Sequence, residues 1–562
     1  MKAASIKSFW HYMWHLHYQV KDLLRLNLFA MNRVFPSVIR ASSEAGLNND
    51  NSSVDKTDII PDKEDGPGFG SGSDKSYGPR QKTGLLLGPL LFIVFLIIPT
   101  PAEMSPEAQR VLASTAWIAT WWVTEAIPIP VTSLLPIVLF PLTGAMAVGD
   151  TTAPYANPNV FLFMGGFMIA VCMEKWNLHR RVALLIINKV GTSPNRLVLG
   201  FMVATGFLSM WISNTATTMM MLPIGLAVIL QVATLIQERG IKGIDVRKGK
   251  FNFGTCLMLS IGYSASIGGV ATLIGTPPNI IFAGAAEELL GATIGFAHWM
   301  AFGLPISIVF MVIAWLYMTR IAYPTKLKEI PGSREIIRKD LDKLGEITTE
   351  EKMIAAVFIF VALAWISRAF VLENIFPMID DALIAVMGAI ITFIIPVDIK
   401  TGKFLNDWNT AVKVPWGILL LFGGGLAIAA GFSNSGLAEW IAMQLSILEG
   451  SSMIFIMLAL VALVIYLTEI TSNTATTSMM MPIMAAMAAA MHVHPYMLMI
   501  TAAAAASYAF MLPVATPPNA VIFGSGYITI PQMVRAGSWL NIAGIIVITL
   551  FVYFWLPVVF QL

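Results

Sequence analysis

Cysteine and charge are both scarce in this chain. Its 562 residues include 2 cysteines, Cys172 and Cys256, which lie far apart inside apolar segments. Neither a disulfide framework nor a thiolate metal cluster is suggested, and both read as packing residues. Charged residues make up 12%, against about 25% in soluble domains, while 56% are hydrophobic. That balance excludes a water-soluble fold. No Gly-x-x-x-x-Gly-Lys-Ser/Thr run is present, which argues against ATP-driven pumping by this chain alone. No His-x-x-x-His with Glu, and no Ser with a base, falls on adjacent segments, so a membrane-embedded enzyme is disfavoured and no nucleic-acid partner is expected. The formal net charge of +2 says little about partners, because a membrane protein distributes charge by side.

What is present is apolar sequence in long runs from Thr83 to Leu562, many near the roughly 20 residues that a helix needs to cross hydrocarbon. The runs are continuous rather than alternating, which favours helices over a barrel. Expected membrane segments cover 84–99, 108–127, 130–147, 158–178, 196–237 as two short arms, 251–292 interrupted, 298–319, 352–372, 382–397, 415–443, 453–491 as two arms, 496–530 interrupted, and 536–560. The fold class is therefore an all-α polytopic membrane protein. It is expected to hold about 11 transmembrane helices plus two re-entrant hairpins in an inverted-topology repeat.

Three regions follow. Residues 1–83 form a tail: a basic, aromatic stretch from Lys7 to Arg40 with Trp10 and Trp14, then a polar, Gly/Ser/Asp-rich linker. The basic part either lies on an anionic inner membrane surface or is simply solvated. It lacks the form of a cleavable signal and is expected to stay on. A first transporter half covers 84–340, with its hairpin at 196–237 and broken helix at 251–292. A second covers 341–562, with its hairpin at 453–491 and broken helix at 496–530.

Lys and Arg cluster in the tail, around Lys175 to Arg181, from Arg239 to Lys250, from Arg320 to Lys352 and from Lys400 to Lys413. These positions are expected to be cytoplasmic. Between Lys250 and Arg320, and again between Lys413 and Arg535, there is no Lys or Arg, which fits outward loops. The N-terminus then lies inside and the C-terminus outside, in the plasma membrane.

The most informative feature is an internal repeat. Ser213-Asn-Thr-Ala-Thr-Thr-Met-Met-Met-Leu-Pro-Ile224 returns as Ser472-Asn-Thr-Ala-Thr-Thr-Ser-Met-Met-Met-Pro-Ile483, identical at ten of twelve positions. Upstream of each copy sits a glycine-bearing helix, Phe163–Gly166 and Leu421–Gly424, and downstream sits Thr-Pro-Pro-Asn, at Thr276–Asn279 and Thr516–Asn519. By the charge pattern the two copies enter the membrane from opposite sides, which is a transporter architecture.

A Ser-Asn-Thr run between two apolar arms is a poor crossing helix and a good hairpin tip, because its polar groups need a protein-lined cavity. The Thr-Pro-Pro runs must interrupt a helix, since proline lacks the N–H and disfavours helical geometry before it. Freed carbonyls and hydroxyls suit a hard cation, and a new helix N-terminus suits a carboxylate. With no Lys or Arg near either motif, an anion must be balanced by dipoles, amides, hydroxyls and bound cations. Co-transport with a cation is favoured over anion exchange.

These residues resemble the divalent anion/sodium symporter family of dicarboxylate, citrate and sulfate carriers, with its paired Ser-Asn-Thr tips and paired Thr-Pro-Pro interruptions, over about Gly84 to the C-terminus. Within the family the chain looks most like bacterial sodium/dicarboxylate symporters. The resemblance implies a homodimer in which a transport part moves as an elevator against a scaffold part. It implies a first sodium site from Ser209, Ser213, Asn214 and backbone at Gly275, and a second from Thr468, Asn473 and backbone at Thr471 and Ala515. It implies substrate carboxylates met by Asn214, Thr215, Asn473 and Thr474, with Thr276, Pro277, Thr516 and Pro517 closing the site.

Other residues carry a bland reading beside a sharp one. Thr217, Thr218 and Thr477 read as helix packing, and the methionine runs at Met219–Met221 and Met479–Met481 as adaptable packing rather than a soft-metal site. Glu469 and Glu125 sit in or beside apolar segments, where an ionisable group is a functional hypothesis by default. Glu469 either accepts a proton or tunes the second cation site, or it orients structure. His179, His492 and His494 read as loop residues, and the Asn51-Ser-Ser53 sequon is discounted on the cytoplasmic side.

The expected function is sodium-coupled import of C4-dicarboxylates such as succinate, fumarate and malate, with two or more sodium ions as co-transported partners. Sulfate or citrate symport, or dicarboxylate exchange, stands as the alternative.

Overall fold

The computed structural model describes residues 77–562, apart from 192, 239–243, 325–332, 449 and 451. The tail expected over residues 1–83, including the sequon, lies outside the described residues as far as position 76. Seven helices among the described residues are long and apolar enough to cross a bilayer: Pro79–Ile97, Val148–Lys175, Asn214–Glu238, Phe296–Ala322, Thr349–Ile375, Trp416–Ser435 and Ile530–Phe560. Shorter apolar helices run over Ile129–Thr143, Asp381–Ile394, Met453–Thr468 and Pro495–Ala506.

Two expected segments divide. The 130–147 segment becomes Ile129–Thr132 and Leu135–Thr143, with Pro136 in the first turn of the second piece, where a missing N–H is harmless. The 415–443 segment ends its first helix at Ser435, because Gly436 adopts φ +75° and turns the chain before Leu437–Leu445. The helix expected over 382–397 ends at Ile394, and Pro396–Asp398 instead pairs antiparallel with Lys403–Phe404. Glu125 is exposed at the end of the helix Pro106–Thr124, with φ +51°.

The first hairpin consists of Pro194–Ser209 and Asn214–Glu238, and the second of Met453–Thr468 and Asn473–Ala490. The first broken helix consists of Asn252–Gly269 and Pro277–Leu290, and the second of Pro495–Ala506 and Pro517–Phe523. Every residue from Phe253 to Gly269 is buried, so the break after it lies in protein rather than in lipid, where irregular backbone can be satisfied. Close approach makes this possible: a side chain on Gly268 would collide with the backbone of Gly206 in the hairpin. The second copy uses the alanine run Ala502–Ala506, entirely buried, for the same purpose.

The two copies interlock. Pro277–Leu290 packs on Asn473–Ala490 of the second hairpin, and Pro517–Phe523 packs on Asn214–Glu238 of the first. Each break is therefore built against the other copy's tip helix.

Candidate functional site

Both hairpins turn where a hydroxyl faces an asparagine five residues on. In the first, Ser209 Oγ lies 2.5 Å from Asn214 Oδ1 and 2.8 Å from Ala265 O. In the second, Thr468 Oγ1 lies 2.7 Å from Asn473 Oδ1 and 3.2 Å from Ala506 O. One hydroxyl hydrogen cannot serve two acceptors, so with the asparagine oxygens turned inward each cluster holds more oxygen than hydrogen.

The first cluster is fuller. With the Asn214 amide turned the other way, Nδ2 donates to Ser209 Oγ at 2.5 Å and to Gly275 O and Ala265 O at 3.2 Å each. With Oδ1 inward, the oxygens of Ser209, Asn214, Ala265 and Gly275 face one another without a hydrogen between most of them. That donor set suits a hard cation. It is also tight: a Cβ on Gly269 would fall 2.6 Å from Asn214 Oδ1, and one on Gly275 would fall 3.0 Å from Ser209 O.

The structure thus gathers Ser209, Asn214 and Gly275, and separately Thr468 and Asn473. Ser213 Oγ instead accepts Ala216 N at 3.2 Å, capping the tip helix. Thr471 Oγ1 donates to Leu467 O at 2.8 Å and meets Thr476 Oγ1 at 2.7 Å, while Ala515 N donates to Leu512 O at 3.2 Å. Thr218 and Thr477 make matching bonds, each at 2.8 Å, to the carbonyls of Asn214 and Asn473.

Of the residues expected to meet substrate, Thr215, Thr474 and Thr276 directly follow Asn214, Asn473 and Gly275 in the chain, and Pro277 and Pro517 open the second arms of the broken helices. Asn214, Thr215, Asn473 and Thr474 are half-buried in the first turns of the tip helices. Thr276 and Thr516 are buried and extended, at φ −146° and −141°, and Thr516 Oγ1 accepts Asn519 N at 3.3 Å. Pro277 is half-buried and Pro517 exposed.

Sequence reasoning missed four contributors. Ala265 and Ala506 offer carbonyls, which any residue type supplies, so no residue pattern could single them out. Asn279 and Asn519 brace the breaks from within the Thr-Pro-Pro-Asn motif. Their recurrence in both copies was the available signal.

The family described as the sodium:sulfate symporter transmembrane region matches residues 81–562. The chain belongs to this family. It is 48% identical over 487 residues to the sodium-dependent dicarboxylate transporter SdcS of Staphylococcus saprophyticus, covering 86% of this chain and 93% of that protein. It is likewise 48% identical over 488 residues to SdcS of Staphylococcus aureus. A fold likeness reaches the YdaH transporter of Alcanivorax borkumensis, with TM-score 0.51 and 13% identity over 85% of this chain and 98% of that one. Membership makes this chain a secondary transporter rather than an enzyme, and the long apolar helices make it a multi-pass membrane protein.

Proposed function

We propose that this protein imports C4-dicarboxylates by sodium symport. Sodium-coupled dicarboxylate transport follows from membership in the symporter family and from the identity to SdcS over most of both chains. The observation that carries the site assignment is the twin oxygen cluster, Ser209–Asn214–Ala265–Gly275 and Thr468–Asn473–Ala506, on tips with no Lys or Arg nearby in sequence.

In this reading each cluster takes one sodium ion as co-transported substrate, with Ser213 and the backbone of Thr471 and Ala515 closing the shells. Two carboxylates of a succinate-like anion meet Asn214 and Thr215 on one side and Asn473 and Thr474 on the other. Thr276, Pro277, Thr516 and Pro517 line the gap. The anion's charge is balanced by the sodium ions and by the helix N-termini at Asn214, Pro277 and Asn473. In this reading substrate binds well only with sodium present.

The two halves, 84–340 and 341–562, form an inverted-topology repeat of about 11 spanning helices and two re-entrant hairpins, with the N-terminus inside and the C-terminus outside. The charge distribution supports this orientation. A homodimer working as an elevator is the arrangement that the family resemblance favours.

The test is radiolabelled succinate uptake into proteoliposomes, with and without an inward sodium gradient, beside Asn214→Ala and Asn473→Ala. Symport through both tips requires uptake that needs sodium and fails in both variants. Uptake indifferent to sodium, or driven only by internal substrate, would replace this reading with exchange.

A further inference from the structure

Glu469 follows Thr468 directly, at the end of the first arm of the second hairpin, and only 3% of its surface is exposed. Its Oε1 accepts the amides of Phe510 and Met511, each at 2.8 Å, and Asn541 Nδ2 at 2.8 Å, while Oε2 accepts Leu512 N at 3.0 Å. All four partners are neutral N–H donors, which hydrogen-bond the ionised carboxylate and offset part of the cost of burying it. Among the described residues Glu469 has no ion-pair partner, and no Lys or Arg occurs between Lys413 and Arg535.

The first copy solves the same junction differently. Met210 follows Ser209 as Glu469 follows Thr468. Thr272, whose carbonyl accepts Gly275 N and the Asn279 amide, corresponds to Leu512, whose carbonyl accepts Ala515 N and the Asn519 amide. In the first copy Thr272 Oγ1 donates to Met210 O at 2.5 Å. In the second, where Leu512 has no hydroxyl, its backbone N–H donates to the Glu469 side chain instead. A threonine hydroxyl donating to a tip carbonyl and a glutamate accepting loop amides are thus alternative ties between tip and break, and only the second brings a carboxylate.

The last long helix completes the second junction. Asn541 holds Glu469, and one turn earlier Gly537 lies so close to the loop that an added Cβ would meet Met511 N at 2.6 Å, along with the backbone of Phe510. The carboxylate therefore connects three elements: the tip arm bearing Thr468, the unwound loop, and Ile530–Leu550.

We propose that Glu469 is a positioning residue that makes the two cation sites unequal: its fixed charge raises the sodium affinity of the Thr468–Asn473 site above that of the Ser209–Asn214 site, and its bonds couple that site to the loop preceding Thr516. The second site then fills first as sodium rises. This rests on the sodium-symport reading of the two clusters.

The test measures succinate uptake against sodium concentration in proteoliposomes for wild type, Glu469→Gln, Glu469→Met and Glu469→Met/Leu512→Thr. Glu469→Gln keeps shape and loses charge, so half-saturating sodium should rise by about tenfold while uptake at saturating sodium persists. Glu469→Met should lose uptake, because the amides of residues 510–512 lose their acceptor. Adding Leu512→Thr offers the carbonyl of residue 469 the hydroxyl that Thr272 offers Met210 but gives the amides of residues 510–512 no acceptor, so uptake should stay lost. Unchanged half-saturating sodium in Glu469→Gln would overturn the charge effect, and uptake retained in Glu469→Met or recovered in the double variant would overturn the coupling through the carboxylate. Either failure leaves wild-type uptake sodium-dependent and the symport reading intact. Sodium-independent uptake by wild type would end both.

Discussion

Asn279 and Asn519 make the same two reaches. Each sends its side-chain amide to the carbonyl seven residues back, Thr272 O at 2.6 Å and Leu512 O at 3.1 Å, and to the carbonyl ten residues back, Gly269 O and Ala509 O, both at 3.0 Å. Both side chains are wholly buried. A break in a membrane helix frees carbonyls that hydrocarbon cannot satisfy, and these amides answer them. Asn279→Ala and Asn519→Ala should each destabilise the protein by about 1–3 kcal/mol, the usual cost of leaving buried polar groups unpaired. Thermal unfolding in detergent checks this, and uptake should fall in both variants.

Gly269→Ala should act on the first sodium site. The new methyl group would stand 2.6 Å from Asn214 Oδ1 and 3.1 Å from Gly275 O, displacing the oxygens that define the cluster. Half-saturating sodium for uptake should rise. Gly166→Ala is the control, since its methyl would meet nothing nearer than Ile274 Cδ1 at 3.4 Å; it should leave the sodium dependence unchanged.

Arg181 and Glu351 form a buried pair, with Arg181 Nε 3.0 Å and 3.1 Å from the two carboxylate oxygens and side chains 10% and 3% exposed. The guanidinium also donates to the carbonyls of Leu344, Gly345 and Glu346. Arg181→Met alone leaves a buried carboxylate without its counter-charge and should cost about 3–5 kcal/mol, whereas Arg181→Met/Glu351→Met should cost less than the single change. Comparison of the two unfolding temperatures decides it.

Lys175 and Asp407 tie the helix Val148–Lys175 to the segment before Trp408, with Nζ 2.6 Å from Oδ2. The hydrogen bond from Lys175 holds the Asp407 carboxyl below the usual aspartate range. A depressed carboxylate adds stability above its unfolded pKa, about 3.9, and loses it as pH falls through the folded value. Stability should therefore be indifferent to this pair from pH 7 to 5 and fall below about pH 4, less so in Lys175→Gln. Asp407 is 49% exposed, so screening limits the whole effect to about 1 kcal/mol or less.

The membrane class, the helical fold and the paired motifs were legible in the residues because each rests on local chemistry: apolar length, proline's missing donor, and a polar run repeated at ten of twelve positions. Asn214 and Asn473 stand in the repeated run, whereas Ser209 and Thr468 were singled out only by the resemblance to the symporter family. The divisions at Pro136 and Gly436 were less legible, since a turn inside an apolar run changes no hydropathy.

Only the tertiary structure decided which backbone carbonyls complete each cluster, because Ala265 and Ala506 come to the tips through helix packing that leaves no mark on their side-chain type. It also decided the partners of Glu469. The residues alone showed a carboxylate beside an apolar segment, and proton uptake, tuning of the second cation site or an orienting structural role would each have fitted. The distances to Phe510, Met511, Leu512 and Asn541 turn it into an acceptor for four donors. Local sequence determines what a segment can bond; the packing of distant segments determines what is there to be bonded.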